Sequence, residues 1–364
     1  MVVMNEIDVP KVSVVVPVYN ANDVLLDRAL GSVFSQTEQS FEIILVDDGS
    51  QNGCVERIAS IYKRDCRLRI IRQNNSGIQG ALDTGIKYAR GEYFYVIAQD
   101  DFAHPQTFEY CCGVIERENA DLCIFYGYSQ HDFESPKCKL FEDINLIPCM
   151  TYSYVKTPPE EYVSGLKLLN MDAWGHFARM SLVRKVHAVW PLYDGVARTH
   201  YMLTMADRWI RSSAKLYYYN TINPASVSKK AVTSVFIERW RCEFKALYDI
   251  YAGSSNSEAI WRAIRRFYVI KGVKMVVNQF RRCNKACSKE LNIECFCSMV
   301  RMLRDFFDCG MLPMCEVNFR MYLYYRWIVL RYGYSQAAAV QSKASTDIFL
   351  SDFGYVLSDG IKKE

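Results

Sequence analysis

The sequence predicts an α/β fold: a mostly parallel central sheet flanked by helices and followed by a mainly helical C-terminal region. In the first third of the chain, short apolar, β-branched runs alternate with amphipathic segments, which is typical of repeated βα units. From Val232 onward the pattern is mostly helical. The 364 residues exceed the usual size of one hydrophobic core, so about two domains are expected.

Four strands are clear in the sequence, and a fifth is weaker. They are residues 12–16, 41–46, 68–71, 93–98 and, as the fifth, 122–126. Helical patterns fill the gaps between them. Each of the first four strands ends in a polar or turn-forming cluster. Because ligands of open α/β sheets bind beyond the carboxyl ends of the strands, we expect the four clusters to meet at one crevice.

The second and fourth clusters carry paired acids. In chain order the clusters are Pro17-Val18-Tyr19-Asn20, Asp47-Asp48-Gly49-Ser50, Gln73-Asn74-Asn75-Ser76-Gly77 and Gln99-Asp100-Asp101. Carboxylates at a strand end can accept hydrogen bonds from a base or a ribose, and they can hold Mg²⁺ or Mn²⁺. A helix cap at Asp100 or Asp101 and a simple turn at Asp47 are the plainer readings. Two acidic turns on one sheet edge favour a ligand site.

The net charge, the hydropathy and the cysteine content limit the classes of protein to which this chain can belong. A net charge of +4 is too small to predict nucleic-acid binding by the whole chain. No stretch approaches the roughly 20 apolar residues of a membrane span, and the start carries no signal pattern, so a cytoplasmic location is expected. The 14 cysteines are therefore expected to be reduced. A zinc site at Cys283, Cys287, Cys295 and Cys297 is a weak alternative, because none of the spacings is Cys-x-x-Cys.

Three motifs together resemble the family 2 glycosyltransferases of the GT-A (Rossmann-like) fold. They are Val14-Val15-Val16-Pro17-Val18-Tyr19-Asn20, Ile44-Leu45-Val46-Asp47-Asp48-Gly49-Ser50 and Asp100-Asp101, and the resemblance runs from about residue 11 to residue 128. It implies a metal-dependent, inverting transfer of a sugar from a nucleoside-diphosphate sugar, most simply a UDP-sugar. The implied acceptor is a hydroxyl of a growing surface polysaccharide or a lipid-linked glycan.

The resemblance also assigns site residues. Those implied to bind the sugar nucleotide are Pro17, Val18, Tyr19, Asn20, Asp47, Asp48, Gly77 and Asp100, with Gly85 in the helix over the donor. A divalent cation, Mg²⁺ or Mn²⁺, is implied at Asp100 and Asp101. Two motifs depart from the family pattern: Ala98-Gln99-Asp100-Asp101 stands where Asp-Ser-Asp-Asp is frequent, and Ala81-Leu82-Asp83 stands where Ala-Arg-Asn is frequent.

The second half of the first domain resembles the family more weakly. Residues 174–179 and 216–219 are similar to its acceptor-side segment, which implies a domain over 1–230 with a donor half at 11–128 and an acceptor-side half at 129–230. The family usually has a Glu-Asp pair containing the catalytic base where this chain has Thr199-His200. His200 and Asp194 are the candidate bases. A packed histidine and an Asp194-Gly195 turn are the alternatives.

The helical region at 231–364 contains a basic stretch, residues 261–282, without one acid. Such a segment can lie on an anionic membrane surface or form a packed helix with a solvated basic face. The resemblance favours peripheral contact with the inner face of the plasma membrane. Two other functions compete with this one. A sugar nucleotidyltransferase would need a Gly-rich, basic loop after its first strand, which is absent. A non-catalytic GT-A protein that binds nucleotide or acts as a scaffold is the stronger rival.

Overall fold

The computed structural model describes residues 9–130, 151–155, 173–189, 196–220 and 233–251, together with residues 295, 298, 301 and 302. The chain divides into two compact units, Met1–Ser226 and Val227–Glu364. The basic stretch at 261–282, Asp194 and three of the four clustered cysteines lie outside the described residues, and Cys295 is buried.

The described part of the first unit alternates strands and helices. Its strands are β1 (Val12–Val18), β2 (Phe41–Asp47), β3 (Leu68–Arg72), β4 (Tyr93–Val96), β5 (Phe102–Ala103), β6 (Leu122–Gln130), β7 (Thr151–Val155), β8 (His176–Arg179) and β9 (Arg208–Asn220). Its helices are α1 (Asp23–Phe34), α2 (Cys54–Ile61), α3 (Gly77–Tyr88), α4 (Thr107–Glu118), α5 (Met180–Val189) and α6 (Val196–Met205).

All nine described strands join one mixed sheet in the order β3-β2-β1-β4-β8-β6-β9-β5, with β7 paired to β9. The predicted α/β fold is confirmed, and its first half is parallel as expected, because β1 pairs in parallel with β2 and β4, and β2 with β3. The second half is mixed: β6 pairs in parallel with β9, whereas β8 runs antiparallel between β4 and β6, and β9 pairs antiparallel with β5 and β7.

The central strands β1 and β2 are mostly apolar because both faces of the sheet are covered. Every residue of β1 and β2 is buried, as expected for parallel strands between helical layers. Helix α3 crosses β1 at Gly85, where a Cβ atom would clash with the side chain of Val15. The glycine therefore allows close contact between helix and strand.

The amino edge of the sheet is held by one buried carboxylate, Glu42. Its Oε1 accepts hydrogen bonds from Ser13 Oγ at 2.8 Å and from the Arg90 backbone N–H at 2.8 Å. Its Oε2 accepts from Arg90 Nε at 3.0 Å and from Arg69 Nη1 at 3.0 Å. These contacts join β1, β2, β3 and the segment before β4 on the side opposite the predicted crevice.

Glu42 is expected to make the stability of the first unit dependent on acid pH. Burial raises its pKa, but the hydrogen bonds from Arg90, Ser13 and Arg69 outweigh burial, and the net pKa lies below its usual 4.5. The stabilisation is thus complete above about pH 4.5 and is lost as the pH falls through the folded-state pKa. We expect Glu42→Gln to reduce the free energy of unfolding at pH 7 and to flatten its decline below pH 4.5. Urea denaturation at several pH values measures both effects, and Glu118→Gln, in α4, is the control. An unchanged acid slope in Glu42→Gln would contradict the expectation.

In the second unit the described residues include one long helix, α7 (Ser234–Tyr251). Its surface carries short-range ion pairs, Arg241 Nε to Glu238 at 2.7 Å and Lys245 Nζ to Asp249 at 3.1 Å. Such pairs support an exposed helix modestly. None of the helices in the described residues is long and apolar enough to span a membrane.

Candidate active site at the carboxyl edge of the sheet

The turns that follow the parallel strands are fastened to one another by backbone hydrogen bonds. The Asp48 N–H donates to the Val18 carbonyl at 2.8 Å, and the Gln73 N–H donates to the Asp47 carbonyl at 3.0 Å. The first bond joins the turns after β1 and β2, and the second joins those after β2 and β3. Three of the four predicted clusters are thereby placed along one edge.

The turn after β1 is specified by Asn20. This residue has a φ of 46°, a left-handed conformation that asparagine tolerates better than most residues. Its N–H donates to Ser50 Oγ at 3.0 Å, and its Oδ1 accepts from the Gln51 N–H at 2.8 Å. Pro17 and Val18 are buried beneath the turn, while Tyr19 is 46% exposed. The aromatic ring is therefore available to a ligand at this edge.

Asp47, the last residue of β2, and Asp48, which follows it, are both buried, and they have different partners. Asp47 Oδ1 accepts from the Ser50 N–H at 2.9 Å, which closes the turn, and its Oδ2 lies 3.6 Å from Arg72 Nε. Asp48 Oδ1 accepts from Gln73 Nε2 and from the Ser76 N–H, each at 2.8 Å. We find no hydrogen bond to Asp48 Oδ2 in the described part of the chain, so that oxygen is the one suited to a ligand.

Two glycines determine the conformation around the loop between β3 and α3. Gly49 lies in the turn after β2 and packs against the loop, and Gly77 lies at the end of the loop. Gly49 has a φ of 81°, and a Cβ there would lie 3.1 Å from the Asn75 backbone nitrogen. Gly77, with a φ of 72°, begins α3 and donates its N–H to Asn75 Oδ1 at 3.3 Å. Both positions require a residue that adopts positive φ without strain. The N-terminus of α3 is consequently directed to the same edge as Asp48.

The two acids after β4 lie in very different surroundings. Asp100 is partly exposed. Asp101 is 1% exposed; its Oδ1 accepts from the Asn220 N–H at 2.7 Å, and its Oδ2 accepts from the Tyr217 hydroxyl. Burial, and then the charge of Asp101, raise the pKa of Tyr217 well above its usual value, so the phenol stays a donor. Asp101 thus ties the turn after β4 to the end of β9.

The second departure from the family pattern falls inside α3. Leu82, where the family frequently has arginine, is buried in the core. Asp83 forms an ion pair with Lys87, and its Oδ1 lies 2.7 Å from His187 Nε2. This part of α3 therefore packs against α5.

The candidate bases are not both described. His200, in α6, is 0% exposed, and burial lowers its pKa to about 3. A base with so low a pKa removes a proton from a hydroxyl poorly at neutral pH. At 0% exposure, the imidazole is not accessible to an acceptor substrate in this conformation. Asp194 lies outside the described residues, and its role stays a prediction from the sequence.

Several residues of this edge were not predicted as site residues. Gln73 and Ser76 hold Asp48, and Tyr217 and Asn220 hold Asp101. The tyrosine run at 216–219 was noted, but nothing in its spacing connects it to Asp101, which is more than 100 positions earlier. Within the described residues, no group of three or more His, Cys, Asp or Glu side chains is arranged to hold a metal ion.

Known proteins resemble this chain mainly over its first half. The model of the family described as glycosyl transferase family 2 matches residues 13–185. Residues 13–185, just under half of the chain, are thus similar to the family 2 glycosyltransferases. The match includes the acidic turns at Asp48 and Asp100 and ends before Asp194 and His200. The candidate bases therefore lie outside the residues that the family model matches.

Curated relatives of this family 2 domain are bacterial. An uncharacterized glycosyltransferase, EpsJ, of Bacillus subtilis is 37% identical over 123 residues, which are 33% of this chain and 36% of that protein. The glycosyltransferase GlyG of Streptococcus pneumoniae is 35% identical over 124 residues, 33% of this chain and 41% of that protein. The chain thus spans well under half the length of these relatives in the matched region.

A solved structure extends the similarity in fold. The crystal structure of residues 1–349 of S. aureus TarS, in complex with UDP-GlcNAc, matches with a TM-score of 0.65 at 16% identity. The match covers 93% of this chain and 92% of the TarS chain. At that identity the likeness concerns the fold, and it supports the GT-A architecture expected for a family 2 domain.

Proposed function

We propose that this protein is a glycosyltransferase that moves a sugar from a nucleoside-diphosphate sugar to an acceptor hydroxyl. One observation carries the proposal: in a family 2 domain, the turn bearing Asp48 is hydrogen-bonded to its neighbours along the same sheet edge that carries Asp100. Ligands of such sheets bind at this edge. Because TarS was solved with UDP-GlcNAc in the same fold, a UDP-sugar is the first donor to test.

The nucleoside would lie against the turns after β1 and β2. Tyr19 offers an exposed aromatic face for the base, and Asp48 Oδ2 is free to accept a hydrogen bond from base or ribose. Asp47 would act through the turn, because its Oδ1 holds the Ser50 N–H. The binding contacts would thus come from two side chains that neighbouring turns hold in place.

A divalent cation fits at Asp100 better than at Asp101. Mg²⁺ and Mn²⁺ prefer oxygen ligands, and Mg²⁺ is commonly held by one or two carboxylates together with substrate phosphates. Asp100 is partly exposed, whereas Asp101 is buried and accepts hydrogen bonds from Tyr217 and Asn220. We therefore place the cation on Asp100, where it would neutralise charge on the departing diphosphate. Asp101 would hold the turn.

We propose Asp194 as the base that deprotonates the acceptor, in preference to His200, and an inverting displacement at the anomeric carbon. The burial of His200 and its pKa of about 3 support this choice. We expect Asp194→Asn to lower kcat by about 100-fold or more, since general-base catalysis contributes roughly 10²–10⁴ in rate. His200→Ala is expected to lower stability by leaving a cavity but to keep most of the turnover per folded molecule. Rates of transfer and thermal unfolding of both variants measure this, and loss of turnover in folded His200→Ala alone would reverse the assignment.

The acceptor proposed is a glycan of a surface polysaccharide or a lipid-linked glycan, met at the inner face of the plasma membrane. The relatives' bacterial origin and the basic stretch at 261–282 support it. Co-sedimentation of the full chain with anionic and neutral vesicles tests the membrane contact. Absence of binding to anionic vesicles at low salt would rule the contact out.

The proposed function is tested by screening nucleotide sugars for thermal stabilisation with and without Mg²⁺ or Mn²⁺, followed by transfer and hydrolysis assays. Metal-dependent stabilisation with turnover is the expected result. Stabilisation without turnover of any donor would instead favour a non-catalytic nucleotide-binding protein, a candidate that the alanine at position 98 and the buried His200 both support. If no nucleotide sugar gives either stabilisation or turnover, both functions are contradicted.

A further inference from the structure

The side chain of Gln99 pairs with both backbone groups of Tyr19. The Tyr19 N–H donates to Gln99 Oε1 at 2.9 Å, and Gln99 Nε2 donates to the Tyr19 carbonyl at 3.4 Å. One amide side chain thus imitates the pairing of a neighbouring strand. Gln99 stands in the turn after β4, immediately before Asp100, and Tyr19 stands in the turn after β1.

These two hydrogen bonds lie beyond the end of the backbone pairing between β1 and β4. The pairing of β1 with β4 runs to Val15 opposite Val96, and the Ile97 N–H makes a last bond to the Val15 carbonyl at 3.2 Å. Beyond that point, the side chain of Gln99 joins the two turns by hydrogen bonds. A serine at this position, frequent in the family pattern, has one short hydroxyl and would not reach both backbone groups of Tyr19.

The turn after β1 is therefore held from two sides. On the β2 side, the Asn20 backbone donates to Ser50 Oγ and its side chain accepts from the Gln51 N–H. On the β4 side, Gln99 holds Tyr19. Surrounding contacts of this kind maintain a residue in a sparsely populated backbone conformation such as the positive φ of Asn20. The backbone of Tyr19 is thereby held relative to the turn that carries Asp100.

We propose that Gln99 is a positioning residue that sets the distance between the nucleoside subsite at Tyr19 and the diphosphate subsite at Asp100. The inference rests on the proposed function. We assign Gln99 no contact with the donor, since its amide oxygen and its amide nitrogen each make a hydrogen bond to the Tyr19 backbone. Gln99 acts by holding Tyr19 in place. The base and the diphosphate of one sugar nucleotide can then bind at Tyr19 and at Asp100 without a rearrangement of the turn after β1. Holding binding groups in place before the ligand arrives raises affinity.

Loss of this positioning should appear in donor binding. We expect Gln99→Ala to raise KM for the sugar nucleotide, and Kd for the nucleoside diphosphate, by about tenfold, because small misplacements of binding groups are costly. Gln99→Glu keeps the oxygen that accepts from the Tyr19 N–H and should have an intermediate effect. Gln39→Ala is the control, since this amide lies just before β2 at the opposite edge of the sheet. All variants should unfold within a few degrees of the unmodified chain.

A double-mutant cycle separates positioning from general stabilisation. If Gln99 acts through Tyr19, then adding Gln99→Ala to Tyr19→Ala should raise KM by less than twofold, although each single change raises it about tenfold. The same tenfold rise in both backgrounds, or an unchanged KM in folded Gln99→Ala, would overturn the proposal.

Hydrogen exchange tests the pairing without any ligand. In the ligand-free full chain, Gln99→Ala is expected to speed amide exchange at residues 17–22 at least about fivefold, while the segment at 41–47 is unchanged. Unaltered exchange at 17–22 would show that Gln99 does not hold the turn, whatever the donor. If exchange quickens but no nucleotide sugar binds the unmodified chain, the proposed function fails and with it the role assigned to Gln99.

Discussion

Replacing Asp100 by Asn is expected to reduce sugar transfer by at least about 100-fold while leaving the protein folded. A cation supplies several kcal/mol of stabilisation to developing charge, and each 1.36 kcal/mol is worth about tenfold in rate. Asn has nearly the same shape as Asp but lacks the negative charge that holds the cation. Because Asp100 is partly exposed, its loss should cost little stability. Measurement of kcat and KM across a range of Mg²⁺ or Mn²⁺ concentrations, with thermal unfolding alongside, determines both.

Asp249→Asn is the matched control for Asp100→Asn. It removes one carboxylate of the same type from α7, where Asp249 pairs with Lys245 at 3.1 Å. Transfer by this variant should be unchanged. Full activity of folded Asp100→Asn, with the same dependence on metal concentration as the unmodified chain, would show that the cation is held elsewhere or is not needed.

The parallel half of the fold was predictable because burial on both faces leaves a direct mark in the sequence. Strands β1 and β2 are predominantly apolar in sequence, and their pairing is local enough for the order of βα units to indicate it. The second half was not predictable in this way. Strand β5 has two residues, too few for any pattern, and β9 pairs with strands from three distant parts of the chain.

The candidate site was predictable to the level of turns but not of individual carboxylates. Parallel strands place their carboxyl ends together, so acidic turns at Asp48 and Asp100 were expected at one edge. The different surroundings of Asp100 and Asp101 come from Tyr217 and Asn220, contacts between residues 116 and 119 positions apart. The residues next to Asp100 and Asp101 in the sequence do not indicate such a contact. Likewise, the local sequence around His200 does not distinguish a buried imidazole from an exposed one.

Replacing Asp101 by Ala is expected to lower the free energy of unfolding by about 3 kcal/mol. The change leaves two buried donors, the Tyr217 hydroxyl and the Asn220 N–H, without the acceptor they have in the native state. Each unsatisfied buried group costs roughly 1–3 kcal/mol. The turn that carries Asp100 would also lose its tie to β9, so activity should fall together with stability. Urea denaturation, with the slope checked for two-state behaviour, measures the loss.

Asp101→Asn and Tyr217→Phe decide whether Asp101 anchors the turn or holds the cation. Asn keeps an oxygen for the Asn220 N–H, so Asp101→Asn should be milder than Asp101→Ala in stability and should retain most of the transfer activity. Tyr217→Phe removes the other donor, and its effect should be strongly non-additive with that of Asp101→Ala, because both changes break the same contact. If Asp101 instead bound the metal, Asp101→Asn would match Asp100→Asn in its loss of turnover and in its altered metal dependence, while Tyr217→Phe would leave both unchanged. The two Asn variants are therefore expected to behave differently. If Asp100 holds the cation, Asp100→Asn is inactive but stable, and Asp101→Asn does not combine these two properties.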